Sequence, residues 1–246
     1  MVNQYLQKRI IVFSPHLDDA VLSMGNLLND LSKKGASVEV ISVFTVGDKH
    51  VQSDLNTRLL HDGNVDSADT YFIARKEEDK KALGMLGDIP FQHLNFTDAA
   101  WRVDKKGKPL YETKVLRIYR EEDNDLFLRL IETFSELQID ANTIVFAPLA
   151  CGKHIDHVLI RNSCSQVFTN IIYFKDFPYS SRYDLDEEFI KQHNIKPHVR
   201  KIDKKIKEKA VLAYTSQIKG LFNGNKIELP EEIFYVSENV DAKILE

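Results

Sequence analysis

An α/β fold with a mostly parallel, Rossmann-like sheet flanked by helices is what this sequence predicts, with a hairpin insertion midway and an irregular C-terminal part. Three observations carry that expectation. The first fifty residues run strand, helix, strand; two later apolar runs, NTIVFAPLA and NIIYF, are separated by a helical stretch; and neither an internal repeat nor a low-complexity linker interrupts the chain. A strand–helix–strand unit feeds parallel pairing, because a right-handed crossover returns the chain beside its first strand. With 246 residues, 43% of them hydrophobic, a single domain over 1–246 is the simplest organisation.

Taken in order, RIIVFSP is a short β-branched run, AVLSMGNLLNDLSKKG is amphipathic and ends on Gly35, and SVEVISVFTVG is β-rich. From Asp48 to about Thr70 the chain is polar and aperiodic, which predicts a long loop excursion. A helix over Arg75 to Leu86 and a strand at FQHLNF come next. Residues 102–125 are charged and turn-forming around Lys106 to Pro109, the basis for the inserted hairpin. The helix LFLRLIETFSEL leads to the buried strand NTIVFAPLA, a helix from about Asp156 to Phe168, and the strand NIIYF. Beyond it lie a helix near 185–193, the stretch KIDKKIKEK, and a last strand IFYVSE. In KIDKKIKEK, Ile202 and Ile206 sit four apart, so its lysines read as a solvated helix face.

Composition excludes several roles. Lys and Arg total 33 against 37 Asp and Glu, a formal net charge of -4 with no long block of one sign, so nucleic acid is not an expected partner. Two cysteines, Cys151 and Cys164, cannot make a disulfide framework. The run IIVF is too short for an export signal, and no stretch approaches the ~20 apolar residues of a membrane span. The cytoplasm is the default location, and whether copies of the chain associate as a homo-oligomer is left open.

Two clusters carry the chemistry. His16, Asp18 and Asp19 follow the first strand and open a helix; His154, Asp156 and His157 follow IVFAPLA and open another. In an open parallel sheet ligands gather outside the carboxyl ends of the strands. Imidazole and carboxylate suit a divalent metal, and a catalytic zinc uses three protein ligands with a further position for water. Each residue also has a plainer explanation. Asp18 and Asp19 precede a helix and could serve only as an N-cap or a compensating charge, His154 could be an ordinary loop histidine, and Cys151 is a packing thiol or a rival soft ligand. The coincidence of two similar strand-end clusters, in a chain of eight histidines, leaves a metal site and an acid–base site both open.

SPHLDDAVLSMG together with GKHIDH resembles the PIG-L or LmbE-like family, N-acetylglucosaminyl-phosphatidylinositol deacetylases whose motifs are usually written His-Pro-Asp-Asp-Glu and His-Pro-Asp-His. Arg75 with Glu78 looks like the family's Arg-x-x-Glu helix, NFTDAAW resembles its loop with an aspartate, and YFKDFPY is similar to its aromatic-Asp-x-Pro-Tyr segment. The resemblance implies a zinc ion on His16, Asp19 and His157, Asp18 as general base, and His154, oriented by Asp156, as the group that stabilises or protonates the tetrahedral intermediate. A cationic His154 would offset the developing oxyanion. Arg75 and Asp98 are implied as substrate contacts, each with a bland alternative: Arg75 pairing with Glu78 along its helix, Asp98 closing a turn. Asp176 and Tyr179 are weaker candidates.

The expected substrate is then a small-molecule N-acyl amino sugar, and the N,N,O set would also accept another divalent transition metal. Leu17, Ile155 and Ala20 depart from the family motifs. None is an expected ligand, but the alanine form at Ala20, with the polar 102–125 insert, looks more like bacterial branches acting on glycoconjugates or natural products than like the membrane-anchored branch. A nucleotide- or sugar-binding module of glycosyltransferase type is the rival reading, although neither GxGxxG nor a P-loop follows the first strand. A noncatalytic interaction protein would have no need of five such residues, and no GxSxG elbow supports a serine hydrolase.

Overall fold

The computed structural model describes residues 8–222 and 227–246. The apolar runs form strands β1 (Arg9–Ser14), β2 (Ser37–Val46), β3 (Phe91–Thr97), β4 (Ile144–Pro148) and β5 (Ile171–Phe174), joined by β6 (Ile195–Arg200) and β7 (Glu232–Ser237). Together they make one seven-stranded sheet in the order β3-β2-β1-β4-β5-β7-β6. The five strands from β3 to β5 pair in parallel, while β7 runs antiparallel to both β5 and β6. The helices are α1 (Asp19–Lys33), α2 (Asp54–Asp62), α3 (Ala68–Met85), α4 (Asp123–Glu136), α5 (Ile155–Val167), α6 (Glu187–Gln192), α7 (Lys204–Val211) and α8 (Thr215–Phe222).

Helices cover both faces, which is why the central strands read as unbroken apolar runs. Along β1, Ile10 and Val12 pack with Leu27 and Leu28 of α1, whereas Ile11 and Phe13 join Phe134 of α4 and Leu159 of α5. Each such side chain contributes roughly 1.5–3 kcal/mol on burial. Gly35 closes α1 at φ 74°, a left-handed position that glycine takes without steric cost. The chain moves outward from β1 through β2 to β3, then returns to lay β4 on the other side of β1. That reversal opens a crevice at the carboxyl ends of β1 and β4.

Four expectations change. The excursion after Asp48 contains α2 and the first turns of α3: capping boxes at Ser53/Asn56 and Ser67/Thr70 satisfy the free N–H groups and start helices where hydrophobic period is weak. In the 102–125 insert the hairpin is reduced to one antiparallel bridge, Val103 to Pro109, around a turn with Gly107 at φ 77°. The C-terminal part is less irregular than expected, since β6 and β7 extend the sheet. Pro197 hides β6 in the sequence, and the strand tolerates it because it lies at the sheet edge.

The lysines of α7, finally, do not all face solvent. Lys207 is 1% exposed and its Nζ lies 2.9 Å from Oε1 of Glu232, itself buried. The same carboxylate accepts N–H bonds from Asn26 (2.7 Å) and Leu27 (2.9 Å), just past Met24, where α1 departs from helical dihedrals. Glu232 thus caps the second half of a kinked helix, with Lys207 neutralising it. Among the described residues no helix is long and apolar enough to cross a membrane.

Candidate active site

Both strand-end clusters meet in the crevice between β1 and β4. His16 and Asp18 come from the turn after β1 and Asp19 from the first residue of α1; His154 caps α5, and Asp156 and His157 lie in its first turn. The approach to His154 is tightly turned. Ala150, Gly152 and Lys153 all have positive φ, and a Cβ on Gly152 would meet the Tyr183 ring at 2.9 Å. The three imidazoles of His16, His154 and His157 gather with ring centroids 5.0–5.3 Å apart.

One carboxylate oxygen organises the first group. Asp19 Oδ2 lies 3.1 Å from His16 Nδ1 and 3.3 Å from His157 Nε2, and accepts the His16 backbone N–H at 2.9 Å. Behind each imidazole stands a second carboxylate. His157 Nδ1 is 2.5 Å from Asp176 Oδ1, and His16 Nε2 is 3.0 Å from Asp156 Oδ2 and 3.6 Å from Asp98 Oδ2. Asp176 also accepts the Cys151 N–H, and Asp156 accepts the Ala99 N–H while pairing with Arg102. Arg102 in turn pairs with Asp123, on which the Tyr111 hydroxyl is also hydrogen-bonded.

These charges set the titration behaviour. Burial raises the Asp19 carboxyl, but His157 and His16 outweigh it and hold the group well below the usual carboxylate range. At His157 burial works against the cation, yet Asp19 and Asp176 prevail and lift its pKa to about 9. Asp18 behaves oppositely. Burial pushes it up to about 6, against the pull of Arg75, whose Nη2 lies 3.1 Å from Asp18 Oδ2.

The structure brings together His16, Asp18, Asp19, His154, Asp156 and His157, and sets Arg75 and Asp98 beside them. One orientation differs from expectation, and one plain alternative is set aside. Asp156 meets His154 through its backbone N–H, donated to Nδ1 at 3.2 Å, while its carboxylate faces His16. As the acceptor at an N-cap, His154 Nδ1 carries no proton, so the ring is neutral rather than cationic. Burial and the neighbouring charges of His157 and His16 lower its pKa well below 6.5. Arg75 pairs with Asp18, not with Glu78, which instead accepts from Thr215 and Ser216 at the start of α8. Asp98 does close a turn, accepting the Ala100 N–H, and still faces the cavity.

Asp176 lies just past the end of β5, and that strand-end position is the signal in the sequence that points to it. Arg102 left no such signal, because its partners are 21 and 54 residues away.

The donor set fits a divalent cation. Two groups of three ligand atoms lie close enough, His16–Asp19–His157 and His16–His154–Asp156. In the second, Asp156 is already occupied by Arg102 and the Ala99 N–H. In the first, His157 Nε2 is buried and faces Asp19 Oδ2 at 3.3 Å without good hydrogen-bond geometry, a deficit that a bound ion would remove. Both far nitrogens there are backed by carboxylates, the arrangement that fixes tautomer and basicity of metal-bound histidine. Cys151 belongs to neither group, and burial pushes its thiol up. His16 and Asp19 of the first group, together with Asp18 and His154, line a cavity of ≈ 780 Å³.

The chain is similar to known proteins over nearly its whole length. A 2'-N-acetylparomamine deacetylase of Niallia circulans is 27% identical over 258 residues, spanning 94% of this chain and 92% of that protein. The deacetylase of teicoplanin biosynthesis in its bog complex superposes with a TM-score of 0.77 at 25% identity, over 93% of this chain and 97% of that one. The zinc-inhibited form of teicoplanin deacetylase Orf2 gives 0.76 at 24% identity, with the same coverage. The family model for PIG-L, described as GlcNAc-PI de-N-acetylase, matches residues 11–168, and this chain belongs to that family.

Proposed function

We propose that this chain is a zinc-dependent hydrolase that removes an N-acetyl or other N-acyl group from an amino sugar of a glycoconjugate or natural product. The single observation that supports it most is the convergence of His16 Nδ1, Asp19 Oδ2 and His157 Nε2 beside a second buried carboxylate, Asp18, which pairs with Arg75. His16, Asp19 and His157 would hold the ion. When bound, zinc supplies Lewis acidity that polarises a carbonyl and makes a water acidic near neutral pH.

The protein's own groups then divide the work. Asp18 takes a proton from the attacking water as its oxygen bonds to the amide carbon, and Arg75 keeps that carboxylate charged in a buried site. His154 donates its remaining N–H to the developing oxyanion as a neutral donor; loss of one such donor commonly raises the barrier by roughly 3 kcal/mol. The proton held on Asp18 passes to the amide nitrogen as the C–N bond breaks, releasing a carboxylic acid and a free amine. Asp156 and Asp176 orient His16 and His157. Asp98, at the cavity wall, is the candidate for a sugar hydroxyl.

The test joins metal analysis to acid release from a panel of N-acetylated amino sugars. About one divalent ion per chain is expected, lost in His16→Ala, with a rate that falls by orders of magnitude in Asp18→Asn while the ion stays bound. Full metal occupancy in His16→Ala, or an unchanged rate in Asp18→Asn, overturns the assignment.

A further inference from the structure

Arg75 and Glu78 stand one turn apart on α3 without pairing, yet an unbroken chain of hydrogen bonds joins them through α8. Arg75 Nη1 donates to the Tyr71 hydroxyl (3.4 Å), and Tyr71 donates to Oε1 of Gln217 (3.3 Å). Gln217 Nε2 then donates to the Ser216 hydroxyl (2.9 Å), which donates to Oε2 of Glu78 (2.7 Å). The other oxygen of Glu78 accepts the Ser216 N–H and the Thr215 hydroxyl, both at 2.7 Å, and so ties the start of α8 to α3. Tyr71, Arg75, Ser216 and Gln217 all line the cavity, and the reaction derived above uses only Arg75.

The two ends dictate the direction of every link. A guanidinium has no acceptor and an ionised carboxylate no donor, so each proton in the chain points from Arg75 toward Glu78. Ser216, committed as donor to Glu78, can meet Gln217 only as an acceptor. That sets the Gln217 amide group on Ser216 and its carbonyl oxygen on Tyr71. A phenolic O–H lies in the plane of its ring and can point either of two opposed ways; Gln217 draws it away from Arg75, so the hydroxyl offers Arg75 a lone pair rather than a proton. Links aligned in this way polarise and strengthen one another. Gln217 is the member that sets the sense of the whole chain, because its donor and acceptor are separate atoms.

Arg75 depends on that support. Its Nη2 lies 3.1 Å from Asp18 Oδ2, while its Nε is buried with no hydrogen-bond partner among the described residues. The guanidinium plane is thus fixed by an ion pair on one Nη, a hydrogen bond on the other, and the Tyr71 ring, whose centroid is 5.4 Å from Cζ. We propose that Gln217 is a positioning residue: through Tyr71 it aims Arg75, and Arg75 in turn holds Asp18 by Oδ2, leaving Oδ1 for the proton of the attacking water. Glu78 keeps α8 against α3 so that Gln217 reaches Tyr71. This rests on the deacetylase reading above and adds to it a residue bonded to neither the metal ligands nor Asp18.

The test uses the full-length, metal-loaded chain. Gln217→Met keeps the length of the side chain and removes both hydrogen-bonding ends; Tyr71→Phe keeps the ring that packs on Phe72 and Trp101 and removes the hydroxyl. Thermal unfolding verifies that both are folded. Acetate release from a methyl glycoside of N-acetylglucosamine, measured above the acidic limb of the profile where Asp18 is ionised in every variant, should show kcat about tenfold lower in each, with KM changed by less than about twofold. Adding Gln217→Met to Arg75→Gln should cost no more than about a further twofold, because the guanidinium it acts through is already gone. Nuclear magnetic resonance of isotopically labelled arginine gives a readout independent of activity, with Arg75 identified as the signal absent from Arg75→Gln. Its Nη1 and Nη2 resonances should be distinct in the unsubstituted chain, and rotation about Nε–Cζ should be about tenfold faster in Gln217→Met. A raised KM at unchanged kcat, a full additional loss in the Arg75→Gln background, or a rotation rate that Gln217→Met leaves unaltered would each overturn the proposal. If the unsubstituted chain releases no acetate from any N-acetylated amino sugar, the deacetylase reading fails, while the rotation rate still decides whether Gln217 holds Arg75.

Discussion

Replacing Asp176 by asparagine separates two effects that act in opposite directions on metal binding. In the metal-free protein Asp19 and Asp176 overcome burial to hold His157 protonated up to a pKa of about 9. An ion must displace that proton, so at pH 7 the competition costs about 2.7 kcal/mol, two pKa units at about 1.36 kcal/mol each. Through His157 alone, apparent affinity should therefore rise about tenfold per pH unit up to 9, and His16, whose pKa is also raised as Asp19 and Asp98 prevail over burial, steepens the rise at the acid end. In Asp176→Asn the carboxylate 2.5 Å from Nδ1 is gone, which weakens the imidazole as a ligand by an expected 10- to 100-fold but also lowers its pKa and relieves the competition. The signs are definite: the variant's deficit should be small near pH 7 and approach its full value near pH 9. Chelator-competition titrations of zinc at pH 6, 7, 8 and 9 measure it directly. A deficit that is the same at every pH, or none at pH 9, would refute the assignment of Asp176 as the group that holds His157.

Three other perturbations follow from the same geometry. Arg75→Gln leaves Asp18 buried without its cation, so its pKa rises above about 6 and the acidic limb of kcat/KM should shift to higher pH by one unit or more; a raised KM with an unmoved limb would make Arg75 a substrate contact instead. Arg102→Gln breaks the pairs with Asp123 and Asp156, and should lower stability by about 3–5 kcal/mol and loosen metal binding through His16, both smaller in Arg102→Lys; denaturant melts and the same chelator titration check this, and wild-type affinity in a folded Arg102→Gln would contradict it. Glu232→Ala strands Lys207 and the N–H groups of Asn26 and Leu27, a loss of about 3–5 kcal/mol or more; a change below about 1 kcal/mol in urea melts would show the pair to be dispensable.

Local pattern made most of the fold readable. Strands buried on both faces leave continuous apolar runs, and a glycine at the end of α1 closes it in any context. Elements set by side-chain chemistry rather than period were missed or reduced. α2 begins on a capping box and buries little of itself, β6 carries a proline that only an edge can accept, and the insert is held by Arg102, Asp123 and Tyr111 rather than by strand pairing. Lys207 read as solvated because its partner Glu232 is 25 residues further along.

By itself the sequence determined that two His/Asp clusters would stand at strand ends, since each directly follows an apolar run and opens a helix. It could not decide how they face one another. Strand order did that: the reversal between β1 and β4 brings His16 and Asp19 against His157, across 138 residues of chain. The tertiary structure also decided which carboxylate backs which imidazole, turning Asp156 toward His16 and Asp176 toward His157, and left His154 Nδ1 an acceptor at the start of α5. The physical reason is range. Strand and helix formation depend on residues a few positions apart, whereas ligand orientation and charge depend on groups that only packing makes neighbours.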